Sequence, residues 1–224
     1  MGGSGVRFGS LVPKQFLKMS NQEHPLFIRS IHALTTHIEI NHCILVVNKS
    51  YMQNQDFKIP LEEYQKSEPS MQIDIIDGGN TRHESFINGA RLVKYNESHT
   101  VLIHDANRPY ISSDYGETIA RQIRLLSDQR PCLIPVLPVV DSLCRIQEDG
   151  QVSAYTPREN ICRVQTPQLL YAPYLEKALL KNDSNHVNAD YADEGSFMLS
   201  MGVPVYTFSG DPENIKITNR HDIV

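Results

Sequence analysis

No apolar run in the 224 residues is long enough to cross a membrane. No apolar signal-like segment opens the chain either, which makes the cytoplasm the expected compartment. Paired cysteines are lacking. Cys43, Cys132, Cys144 and Cys162 stand apart without CxxC spacing, so buried free thiols are expected rather than a zinc site. Positive charge is not in excess: 21 Lys and Arg against 26 Asp and Glu leave a net charge of −5. That balance argues against a broad nucleic-acid surface and leaves room for a local basic pocket. Two phosphate motifs are missing as well. The opening glycines are not followed by Gly-Lys-Ser/Thr, and their spacing at 3, 5 and 9 is not Gly-x-Gly-x-x-Gly. A P-loop phosphotransferase and a nicotinamide dehydrogenase are both disfavoured.

What is present is a globular chain, 40% hydrophobic, long enough for one α/β domain spanning 1–224. Its first fifteen residues place Gly3, Ser4, Gly5 and Gly9 around Arg7 and ahead of Lys14. Glycines let successive backbone N–H groups line a phosphate-sized concavity, and the two cations add full charges. Such a loop normally follows a buried strand, yet only Met1 and Gly2 precede Gly3, so a first strand is expected to be absent. A closing helix is likewise expected to be absent beyond Val224.

Apolar spacing at 27, 31, 34 and 38 predicts a helix after Pro25, and Ile44–Val47 a short buried strand. The polar region through Ser70 gives no firm element. Strands at 73–76 and 100–104 follow, each feeding a polar loop and then a helix, with apolar positions at 86, 90 and 93 and at 115, 119, 123 and 126. Prolines at 131, 135 and 138 argue against a regular central strand there. Residues 139–162 read as a β arm, two strands joined at Asp149-Gly150. Helices are expected near Tyr174–Leu180 and after Asp193, then a strand at 203–208 and a second short strand carrying Lys216.

Four loops carry chemistry. Asp77-Gly78-Gly79-Asn80 enters a helix whose free N–H groups suit a phosphate or a base edge. His104-Asp105-Ala106-Asn107-Arg108-Pro109 ends a strand, where a carboxylate can hold a cation and an arginine an anion; an Asp105–Arg108 pair closing the turn is the plainer reading. In Gln165-Thr166-Pro167-Gln168 the polar side chains can bond a ligand or cap a turn. Asn214-Ile215-Lys216-Ile217-Thr218 can return a lysine to the opening loop.

Taken in order, these blocks resemble the cytidylyltransferase family of 2-C-methyl-D-erythritol 4-phosphate cytidylyltransferase and its ribitol 5-phosphate relatives. The resemblance implies a Rossmann-like α/β nucleotidyltransferase with a mostly parallel central sheet and a projecting β arm joining a homodimer. It implies transfer of CMP from CTP to an alditol phosphate with release of pyrophosphate, and Mg²⁺ as cofactor. No nucleic acid or membrane partner is expected. Arg7, Lys14 and Lys216 take the catalytic roles; Gly3, Ser4, Gly5, Gly79, Asn80 and Ser85 bind the nucleotide. Asp105 holds the metal and, with Arg108, Ser142, Arg158 and Thr166, contacts substrate, Arg158 reaching the site of the neighbouring subunit. The chain departs from the family pattern at Asn107, Ser142 and Ala192, the last where a hydroxyl is usual. A noncatalytic nucleotide-binding protein of the same fold is the alternative.

Overall fold

The computed structural model describes residues 13–18, 23–95, 99–185 and 191–222. In chain order the elements are α1 (Leu26–Thr35), β1 (His42–Val47), α2 (Gln55–Ser67), β2 (Gln72–Asp77), α3 (Arg82–Ala90), β3 (Thr100–Ile103) and α4 (Ser113–Ile123). Then follow β4 (Cys132–Pro138), β5 (Leu143–Ile146), β6 (Val152–Thr156), β7 (Cys162–Val164), β8 (Gln168–Tyr171), α5 (Ala172–Asn185), α6 (Glu194–Ser200) and β9 (Tyr206–Ser209).

The apolar stripe Phe27, Ile31 and Leu34 makes α1 and packs it with Leu45, Val47 and Phe57 into one core. A second core forms where Phe86 of α3, Leu170 of β8, Leu175 of α5 and Phe197 and Met198 of α6 meet. Helix starts are capped by side chains that spare the sequence an orphan N–H. Thr81 accepts from Glu84 N and Ser112 from Tyr115 N, while Asp193 forms a reciprocal capping box with Ser196.

β1 and β2 pair in parallel over six residues. The larger sheet has the order β3-β8-β4-β7, with β9 parallel to β4. The mostly parallel central sheet expected from the sequence is not what the larger sheet shows among the described residues: parallel pairing is confined to β4–β9 and to the separate β1–β2 pair, β7 runs against β4, and β8 runs against both β3 and β4. This reversal has a positional effect. Ile103 lies opposite Gln168, so the loop leaving β3 and the loop entering β8 emerge side by side.

Several expectations need correction. α2 occupies part of the polar region read as having no firm element; Asn54 caps it, and Phe57, Pro60, Leu61 and Tyr64 form its buried stripe. β4 is a regular seven-residue strand despite its prolines, and it lies centrally in the sheet. Pro135 is tolerated because the antiparallel ladder passes there from β8 at Cys132–Leu133 to β7 at Val136–Pro138. Its carbonyl still accepts from Gln165 N at 2.9 Å. β8 itself stands where the sequence suggested only a turn before a helix. Residues around Lys216 form no strand among the described residues. The four cysteines are free as expected, but Cys144 on β5 and Cys162 on β7 are exposed. Only Cys132 is fully buried, and that burial pushes its thiol up to about 12.

The arm is an antiparallel β5–β6 hairpin whose turn uses Gly150 at φ +87°, a left-handed conformation that favours glycine. Cys144 pairs with Tyr155 and Ile146 with Val152, which puts these four exposed side chains on one face.

Candidate active site

The loop leaving β2 is tight. A Cβ on Gly79 would fall 2.2 Å from Glu84 Cβ, so only glycine fits against the first turn of α3. Gly79 N donates to Ser85 Oγ at 3.1 Å, and Asn80 N to the Glu84 carboxylate at 2.6 Å. The N–H groups expected to face a ligand are thus engaged within the loop.

Arg82, in the first turn of α3, forks onto Glu194 in the first turn of α6 with bonds of 2.7 and 3.0 Å. Glu194 is buried. Burial pushes its carboxyl up, against the pull of Arg82. The fork uses two of the five N–H donors of a guanidinium, and Arg82 NH2 also lies 3.7 Å from Asp105 Oδ1.

Asp105 is the centre of the cluster. Its Oδ2 lies 2.9 Å from Lys216 Nζ and 3.3 Å from Arg108 Nε. Burial opposes its charge, but Lys216 above all, then Arg82 and Arg108, outweigh that and hold the carboxyl well below the usual carboxylate range. The Asp105–Arg108 turn pair is therefore real, and it is one part of a larger arrangement.

Buried amides hold this cluster in register. Asn107 Nδ2 donates to Ile217 O at 2.6 Å while Ile217 N returns a bond to Asn107 O at 2.9 Å. This pair of hydrogen bonds, rather than a strand ladder, places Lys216 beside Asp105. Asn214 O accepts from Arg108 NH1 at 2.7 Å and from Gln165 Nε2 at 3.1 Å. Asn214 Nδ2 donates to Thr166 O at 2.8 Å. Gln168, fully buried, takes Gly195 N on one amide atom and reaches Asp193 with the other. The glutamines thus bond protein rather than ligand.

Arg82, Asp105, Arg108, Gln165, Thr166, Gln168, Ala192, Asp193 and Lys216, with Val164, line an open cavity of about 150 Å³. That volume suits a phosphate-sized group rather than a whole nucleotide, for which pockets of about 300 Å³ or more are usual. Of the residues expected at the site, Asp105, Arg108, Thr166 and Lys216 come together here. Gly79, Asn80 and Ser85 form the neighbouring α3 loop and do not line the cavity. Lys14 begins a short 3-10 turn anchored by the buried Phe16, while Gly3, Ser4, Gly5 and Arg7 lie outside the described residues. Ser142 and Arg158 sit exposed at the arm, where Arg158 NH1 donates to Val140 O. Sequence reasoning gave no part to Glu194, Asn107 or Asn214. Asn107 stood out as a departure from the family pattern and Asn214 as the first residue of the block that carries Lys216.

The model of the family described as 2-C-methyl-D-erythritol 4-phosphate cytidylyltransferase (IspD) matches residues 1–224. The chain belongs to that family. It is a CTP-dependent nucleotidyltransferase. A 2-C-methyl-D-erythritol 4-phosphate cytidylyltransferase of Bacteroides fragilis is 37% identical over 223 residues, covering 99% of this chain and 93% of the relative. One from Bacteroides thetaiotaomicron is 32% identical over the same span with the same coverage. The fold matches the crystal structure of a 4-diphosphocytidyl-2C-methyl-D-erythritol synthase from Anaerococcus prevotii at a TM-score of 0.74, with 20% identity, 99% of this chain and 91% of that one. The Rossmann-like nucleotidyltransferase architecture is therefore the observed one.

The donor set does not fit a resident metal ion. Among the described residues no group of three or more His, Cys, Asp or Glu side chains is arranged to hold one. Asp105 already faces three cations, and both Asp193 oxygens are taken by Ser196 N and Gln168 Nε2.

Proposed function

We propose that this enzyme transfers CMP from CTP to 2-C-methyl-D-erythritol 4-phosphate, with the Asp105–Lys216–Arg108–Arg82 cluster as the wall that receives the reacting phosphates. The observation that carries the reading is Lys216, the most exposed of the three cations around Asp105 and anchored by it at 2.9 Å. An ammonium has three N–H donors; Asp105 takes one, which aims the lysine into the cavity and leaves two for phosphate oxygens. An oxygen of the acceptor phosphate attacks the α-phosphorus of CTP in line. The bond from that phosphorus to the bridging oxygen breaks, and pyrophosphate leaves with the electron pair. No protein nucleophile is needed, because a phosphate dianion is already nucleophilic and the work is to hold two repelling anions together.

Lys216, Lys14 and Arg7 take the charge growing on the triphosphate, and Gly3, Ser4 and Gly5 cradle it. Gly79, Asn80 and Ser85 border the cytosine. Arg108 faces the acceptor phosphate. Mg²⁺ enters with the nucleotide, consistent with its habit of keeping substrate phosphates as ligands. Asp105 orients Lys216 instead of building a metal cage, and no step above depends on the ion.

The exposed face of Ile146, Val152 and Tyr155 on the arm supports a homodimer in which each arm lies against a second copy. Ser142 and Arg158 then serve the site of that second copy. Ribitol 5-phosphate is the second acceptor to consider, because Ala192 lines the cavity without a hydroxyl. The test supplies CTP and Mg²⁺ with each acceptor in turn and follows pyrophosphate and the CDP product. Methylerythritol phosphate should be turned over with the higher kcat/KM. Turnover confined to ribitol 5-phosphate would reverse the choice, and CTP binding without product from either would overturn the reading.

A further inference from the structure

Thr166 carries one hydroxyl proton and two lone pairs, and its neighbours settle where they go. Asp105 N donates to Thr166 Oγ1 at 3.0 Å, taking one lone pair. His104 Nδ1 lies 3.1 Å from the same oxygen. The other ring nitrogen, His104 Nε2, lies 3.0 Å from the Arg108 carbonyl. A carbonyl can only accept, so Nε2 carries the proton, and in a neutral ring Nδ1 is then a bare acceptor. The one proton available for the Nδ1 contact is that of Thr166.

We propose that Thr166 and His104 are a positioning pair, in which the Thr166 hydroxyl proton is committed to His104 and is not offered to an acceptor phosphate. The pair closes a ring of bonds around residues 104–108: Thr166 fixes the backbone of Asp105, and His104 fixes the carbonyl of Arg108. The two ends of the turn that presents the Asp105 carboxylate and the Arg108 guanidinium are thereby held, and through Asp105 so is Lys216. A phosphate dianion has only acceptors to offer and finds its donors in Arg82, Arg108 and Lys216. The proposal rests on reading the cavity as the cytidylyltransferase site.

The test combines spectroscopy with kinetics on the full chain. With ¹⁵N-histidine labelling, the His104 Nδ1 resonance should be of the unprotonated, pyridine type, with and without acceptor phosphate, and should shift in Thr166→Val. Thr166→Val should lower kcat about tenfold, the rate equivalent of roughly one lost hydrogen bond, with the acceptor KM within about twofold. Thr166→Ser should restore most of the lost rate. Adding His104→Leu to Thr166→Val should cost little more than Thr166→Val alone, as expected when two residues act as a unit. A protonated Nδ1, or a Thr166→Val effect confined to the acceptor KM, would overturn the proposal. If His104→Leu does not fold, the Thr166 variants and the spectrum decide by themselves. If no acceptor is turned over, the functional reading fails while the ring spectrum still reports the hydrogen bond.

Discussion

Removing the positive half of the Arg82–Glu194 fork should expose how strongly the α3 and α6 loops depend on each other. Glu194 is 1% exposed and its two bonds from Arg82 measure 2.7 and 3.0 Å. Arg82→Met strands that carboxylate in a site from which water is excluded. Breaking a fully buried pair costs roughly 3–5 kcal/mol. Arg82 is itself 37% exposed, which weakens the pair by solvent screening, so the expected loss is about 3 kcal/mol, at the lower end. That is a large share of the roughly 5–15 kcal/mol of a typical domain. The sign with pH follows from burial, which already raises the Glu194 carboxyl above its ordinary value. Removing Arg82 raises it further. A raised acid favours the folded state most below its unfolded pKa, and loses that contribution as pH rises through the folded value. Urea unfolding of Arg82→Met should therefore show its largest deficit near neutral pH and a shrinking one toward pH 5. The double variant with Glu194→Gln should recover most of the loss, since no charge is left stranded. Equal stability of the single and double variants at pH 7, or a deficit that grows on acidification, would refute the argument.

Three further outcomes are expected. Lys216→Ala should lower kcat by about 10²–10³ with a small change in the CTP KM, as for loss of one preorganised charge contact in a transition state; steady-state kinetics measures this, and an effect on KM alone would contradict it. Asp105 is depressed by its cations, so its contribution is present above about pH 4 and lost as pH falls through the folded value; acid unfolding of Asp105→Asn should lack that component, and an unchanged acid limb would count against the cluster. Tyr155→Asp on the exposed arm face should convert dimer to monomer by sedimentation and lower turnover with it, and a monomeric wild-type chain would remove the role given to the arm.

The strand-loop-helix units were readable because short apolar runs such as Ile44–Val47 stop at loops of glycine, asparagine and aspartate. α2 was hidden by its charged composition and by Pro60, although 57, 61 and 64 keep the helical period. The prolines of β4 argue against a strand only where one ladder runs unbroken, and here the ladder changes partners at Pro135. The alternation Ile215-Lys216-Ile217 looked like a strand, but the segment is held by a side-chain amide. That Asp105, Arg108, Thr166 and Lys216 would come together followed from the resemblance of their sequence blocks to the family, and all four line one cavity. Glu194 was not legible, since an acidic residue in a first helical turn is ordinary and its partner lies 112 positions away. Side chains that satisfy the backbone of a distant segment leave no periodic trace.

The paired hydrogen bonds between Asn107 and Ile217 also have a meaning in time. Residue 107 leaves the ribosome long before residue 217, and at synthesis rates of about 5–20 residues per second the gap is several seconds or more. During that interval Asp105 and Arg108 exist without Lys216. A nascent chain halted before residue 214 already contains α1 to α6, yet Asp105 has no lysine beside it. The cluster around Asp105 is therefore complete only once residues 214–217 have been made.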